Sequence, residues 1–144
     1  MSAATVAQGL ATNLSAIPET QILACPVSNP QPPTIWIARV NVAFDKAFGS
    51  RVSGKTYTDE YTATVQCFAA FTSDAGANAV VYQYLSSSGV YSVKRAVEAD
   101  QRLGGACDTL WCETGDFIGL STFQTSSYLL AEWSVTIIAT EVAL

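Results

Sequence analysis

Two carboxylate pairs, Asp59-Glu60 and Glu98-Asp100, come closest in type and spacing to acid-base or metal chemistry in this chain. Paired carboxylates can do such work when their surroundings drive their pKa values apart. Neither pair has a convergent geometry, because neighbours on a strand point to opposite faces and residues two apart on a helix diverge. Both pairs are therefore expected on solvated faces. The chain has no histidine, which removes Ser-His-Asp and Cys-His nucleophiles and every common zinc site except one made of four thiolates. Cys107 and Cys112 have a loosely finger-like spacing, but Cys25 and Cys67 supply no second knuckle. All four cysteines are expected to act as small buried hydrophobes with inert thiols.

The glycine pairs do not cradle phosphate. Neither Gly104-Gly105 nor Gly115-Asp116 sits between a strand and a helix in a Gly-x-Gly-x-x-Gly or Walker pattern. The first reads as a helix end and the second as a hairpin turn. Trp36, Trp111 and Trp133, with Phe44, Phe68 and Phe123, fall in strand patterns, where aromatic residues pack a core or an interface. The remaining cluster is basic: Lys46, Arg51 and Lys55 lie in one connection with Gly49 and Gly54. Three cations there suit docking against an acidic protein surface, with a solubilising loop or a DNA contact as alternatives. The net charge of -5 counts against DNA. No cofactor or metal ligand set is nominated, and the chain does not read as an enzyme.

The elements that must position these residues follow from periodicity. Ala3, Val6, Ala7, Leu10, Leu14 and Ile17 form one helical stripe that Pro18 ends. Thr20 to Cys25 reads as a short strand and Pro26 to Pro33 as a rigid connection. Thr34 to Phe44 and Thr56 to Phe71 read as strands, the second with Tyr57, Tyr61, Ala63, Val65, Cys67, Ala69 and Phe71 on one face. A strand that long spans roughly 50 Å, against a radius of gyration of about 14 to 15 Å for a domain of this size. The hairpin is therefore expected to project as an arm. Ser73 and Ser92 can each cap a helix, the first broken at Ser86 to Gly89 and the second ended by Gly104-Gly105. Three more strands follow, about Cys107 to Thr114, Phe117 to Phe123 and Tyr128 to Thr140. The order predicts a single α+β domain over 1–144: a mainly antiparallel sheet with helices packed on one face and a long projecting β-hairpin.

Only 13% of the residues are charged while 49% are hydrophobic, a balance that favours hiding surface against partners. Charge is uneven: residues 1–38 carry only Glu19, the stretch from Arg39 to Lys55 is basic, and acids dominate from Asp59 onward. No export signal is evident, so reduced thiols and assembly in the cytoplasm are expected. No apolar run approaches the roughly 20 residues of a membrane span.

Several stretches in order resemble the tail terminator proteins of long, non-contractile-tailed bacteriophages. They are Asn29 to Pro33 ahead of an apolar strand, Asp59-Glu60-Tyr61, Tyr84-Leu85 through Ser88-Gly89-Val90, Ser92-Val93-Lys94 with Glu98-Ala99-Asp100, Leu103-Gly104-Gly105, and Tyr128 with Glu132 and Trp133. The resemblance implies a structural virion protein at the head-proximal end of the tail. It would form a ring, typically a homohexamer, that caps the tail tube, ends tube polymerisation and provides the head-tail joining surface. Its partners would be copies of itself, the tail tube protein and the head-tail connector or stopper protein, with DNA met only in transit through the lumen and no membrane. A head-tail stopper or adaptor, or a tail tube subunit, stands as the alternative.

Overall fold

The long amphipathic strands at 56–70 and 126–142 can be buried only side by side, and the fold is built on that pairing. A computed structural model describes residues 1–45, 54–71, 75–123 and 126–142. The elements are α1 (Ala3–Leu14), β1 (Gln21–Leu23), β2 (Thr34–Ala43), β3 (Thr56–Ala70), α2 (Ala75–Leu85), α3 (Val93–Val97), β4 (Thr109–Phe123) and β5 (Ser126–Val142), with 3-10 turns at Glu98–Asp100 and Leu103–Gly105. The sheet order is β1-β2-β3-β5-β4. Only the β1–β2 pair is parallel; the others are antiparallel. Three helices pack against this five-stranded sheet, giving the α+β class that periodicity implies.

The helix-facing layer holds the main core. Val6, Leu10 and Leu14 of α1 are fully buried, each contributing about 1.5 to 3 kcal/mol by leaving water. Strict alternation along β3 places Tyr61, Ala63, Val65, Cys67 and Ala69 beneath the helices. Ala131, Trp133, Val135, Ile137 and Ala139 of β5 join them. Two serines begin helices by accepting a backbone N–H: Ser2 from Thr5 at 3.2 Å and Ser92 from Arg95 at 3.1 Å. Asn13 ties α1 to the end of α3 by donating to the carbonyls of Val97 at 3.0 Å and Asp100 at 3.1 Å.

A second, smaller cluster lies on the opposite face of the sheet. Trp36, Phe68, Tyr128 and Leu130 are buried there, with Phe68 edge-on to Trp36 at 4.6 Å and to Tyr128 at 5.7 Å. The proline-rich connection is tied to this face, where Pro30 is buried and its carbonyl accepts from the Tyr128 hydroxyl at 3.3 Å.

Three expectations are corrected here and one, the projecting arm, is not confirmed. Gly115-Asp116 is not a turn: β4 passes straight through it between two bulges, because Gly115 lies opposite Trp133 and leaves room for its indole. A Cβ at Gly115 would stand 2.8 Å from Trp133 Nε1. The helix capped by Ser92, α3, leaves α geometry after Val97, and Gly104 and Gly105 take positive φ in the turn beyond. Asp59 is buried, not solvated, and accepts the Asp45 N–H at 3.1 Å. The projecting arm is not found over the described residues, since β3 pairs with the equally long β5 from Thr56–Val142 to Ala70–Tyr128. The sheet itself is long, so a long strand needs no arm.

Candidate functional site

Of the expected docking cations, Lys55 is exposed just before β3, and Lys46 and Arg51 lie outside the described residues. The carboxylate pairs separate as their spacing requires. Asp59 is buried while Glu60 lies on the opposite face of β3. Glu98 accepts from Lys94 Nζ one turn back, and Asp100 accepts the backbone N–H groups of Arg102 at 3.1 Å and Gly104 at 2.8 Å. Both carboxylates of the second pair are engaged in local structure.

Among the cysteines, Cys67, Cys107 and Cys112 are buried. Burial pushes the Cys67 thiol up to about 12 and Cys112 up to about 11, and raises Cys107 as well; thiols so shifted are poor nucleophiles. Cys25 departs from expectation and is exposed, because β1 stops at Leu23 and the chain turns away from the core. Among the described residues no group of three or more His, Cys, Asp or Glu side chains is placed to hold a metal ion. No helix among them is long and apolar enough to cross a membrane.

Two concave surfaces among the described residues carry charged side chains. An open groove of about 500 Å³ beside α3 is lined by Val90, Lys94, Arg95 and Glu98, and Lys94 there is already paired with Glu98. A polar depression of about 270 Å³ lies across the face of the sheet away from the helices. It runs from Arg39 and Asn41 on β2, over Thr62 and Thr64 on β3, to Asp116 on β4 and Glu132 on β5. Trp36 Nε1 donates to Gln66 Oε1 at 2.8 Å, and Gln66 Nε2 donates to Glu132 Oε1 at 2.7 Å. Asp116 sits directly across from Glu132, an unfavourable like-charge pair.

The surface that sequence reasoning missed is the outer side of β4. This 15-residue strand ends the sheet, and its far half exposes Ile118 (50%) and Leu120 (59%). Tyr82 of α2, 57% exposed, packs beside them on Phe117 at 5.6 Å. The signal in the sequence was the absence of any Lys or Arg after Arg102 together with apolar Ile118 and Leu120 on either side of a glycine. Neither the protein-family models nor the curated proteins compared with the chain match it.

The residues that carry the resemblance to tail terminators serve the fold in identifiable ways. Pro30 and Tyr128 meet on the face away from the helices, Ser92 caps α3, and Asp100 holds the turn into Gly104. What the arrangement offers chemically is surface for association: an open strand edge, an apolar patch and separated charge.

Proposed function

We propose that this protein is a tail terminator: a structural subunit whose ring caps the tail tube of a long-tailed bacteriophage, stops its growth and presents the surface to which the filled head joins. The motif series from Asn29 to Trp133 suggests the class. The observation that carries the assembly reading is the exposed apolar patch of Tyr82, Ile118 and Leu120 at the open sheet edge, surface that a solitary domain gains by covering. A head-to-tail ring uses two unlike patches per subunit, and the basic stretch with Lys46, Arg51 and Lys55 supplies a second, of opposite charge to the acid-rich C-terminal third. The mechanism is binding geometry without turnover. A neutral to acidic lumen suits DNA in transit, because cationic contacts would hold each phosphate.

The test is electron microscopy of particles made without this protein. Overlong tails, or heads and tails that fail to join, are expected; tails of normal length joined to heads would overturn the assignment. In the complemented system, changing Lys46, Arg51 and Lys55 to Glu should preserve folding and weaken capping.

A further inference from the structure

The sheet has two unlike open edges. On one side β1 covers β2 only at Thr34 to Trp36, so among the described residues the outer edge of β2 from Arg39 to Ala43 carries no strand. On the other side β4 is terminal. Bulges kink β4 between Cys112 and Thr114 and between Phe117 and Gly119, which works against indiscriminate pairing along the whole edge. They divide it into three short regular windows, Thr109 to Cys112, Thr114 to Phe117 and Gly119 to Phe123, of which the middle one holds Asp116. The middle window and the open stretch of β2 are of similar, short length.

Their charges are opposite. From residue 103 to the C-terminal residue the chain has Asp108, Glu113, Asp116, Glu132 and Glu141 and no Lys or Arg, whereas Arg39 and Lys55 mark the β2–β3 side. Arg39 and Asp116 are exposed, and neither has an ion-pair partner among the described residues. They stand at opposite edges of one polar face, three strand spacings or about 14 Å apart, too far to satisfy each other.

We propose that the Thr114–Phe117 window of β4 accepts the Arg39–Ala43 edge of a second copy of this chain, continuing the sheet from one subunit into the next with Arg39 of the incoming copy set against Asp116. Strand directions agree with this. β2 and β5 run one way and β3 and β4 the other, so in a ring whose axis follows the strands the new pair is antiparallel, the commoner pairing in sheets. Main-chain hydrogen bonds supply affinity, as in other strand additions. The Arg39–Asp116 pair fixes register and relieves the repulsion between Asp116 and Glu132. The apolar Ile118 and Leu120 lie next to the joint and are covered by it. The head-to-tail sense of this contact rests on the ring reading above; the contact itself is measurable without a phage.

The experiment is sedimentation velocity on the full chain, from micromolar to about millimolar concentration, with hydrogen exchange on the same samples. Wild-type protein should associate with rising concentration, and amides at 39–43 and 114–117 should gain protection together. Arg39→Glu and Asp116→Lys should each weaken association about tenfold or more, with folding checked by circular dichroism. The double variant Arg39→Glu/Asp116→Lys should return to within about threefold of wild type, since the pair is then restored with its signs exchanged. Wild-type protein that stays monomeric throughout, or single variants that associate as well as wild type, would overturn the proposed contact. Either result leaves the tail reading to its own test, and normal tails in the absence of the protein would overturn that reading without touching the solution result.

Discussion

Replacing Gly115 with alanine tests the packing at the centre of β4. At an unconfined strand position the change would stabilise by roughly 0.4 to 1 kcal/mol, because glycine gives the unfolded chain extra freedom. Here the new methyl would meet Trp133 Nε1 at 2.8 Å, Trp133 Cδ1 at 2.9 Å and Leu85 Cδ2 at 3.1 Å. Trp133 is 3% exposed, so the overpacking cost of about 1 to 3 kcal/mol should exceed the gain. With an unfolding entropy of roughly 2.1 cal/mol/K per residue, a chain of this length loses about 3 K of melting temperature per kcal/mol. Thermal unfolding followed by circular dichroism should therefore show Gly115→Ala melting several degrees below wild type. Trp133→Phe removes the indole atoms that the methyl would strike, so adding Gly115→Ala to that variant should cost less than it does in wild type. A melting temperature unchanged or raised in Gly115→Ala would refute the indole-on-glycine packing and, with it, the reason β4 passes through Gly115-Asp116 without turning.

Three further outcomes follow from local chemistry. A thiol reagent at neutral pH should modify one cysteine rapidly, the exposed Cys25, and reach Cys67, Cys107 and Cys112 only on unfolding; rapid native-state reaction at two or more would contradict their burial. Glu141 accepts hydrogen bonds from the N-terminal ammonium and from Tyr57 Oη, the latter at 2.8 Å, and these hold its carboxyl below the usual range. Because the folded pKa is the lower one, its contribution is present above the unfolded pKa and lost as pH falls through the folded value. Glu141→Gln should thus be less stable at neutral pH, by no more than about 1 kcal/mol for so exposed a group, and the gap to wild type should close in acid. Asn13→Ala should cost about 1 kcal/mol in chemical denaturation by releasing the carbonyls of Val97 and Asp100, and an unchanged midpoint would show that this link to α3 adds nothing.

Much of the fold was legible because single-period patterns dominate it. The Val6-Leu10-Leu14 stripe marks α1, and the alternation from Tyr61 to Ala69 marks the buried face of β3. What misled were residues whose meaning depends on a partner far along the chain. Gly115-Asp116 has turn chemistry, and only the indole of Trp133 on the adjoining strand explains a glycine inside β4. Asp59 looks solvated until the backbone of Asp45 is brought to it. The second cluster was hidden because Trp36, Phe68, Tyr128 and Leu130 lie on what the alternation marks as the polar face, although Phe68 between Cys67 and Ala69 hints at burial on both sides. The open edge left only faint traces, the lopsided charge after Arg102 and the apolar Ile118 and Leu120 beside Gly119, because strand order is set by tertiary pairing.

The central β3–β5 seam also dictates how the chain reaches its native state. Its paired residues are roughly 60 to 85 positions apart in sequence, from Ala70 with Tyr128 to Thr56 with Val142, whereas β2 with β3 and β4 with β5 are joined by short connections. Two hairpins can therefore form early at little loop entropy, and their docking across the seam closes the longest loop last. Refolding should be limited by that docking step, on a millisecond to second scale. Shortening the side chains of Val65 or Val135 at the seam should slow folding more than it speeds unfolding, while changes in α1 should do the reverse.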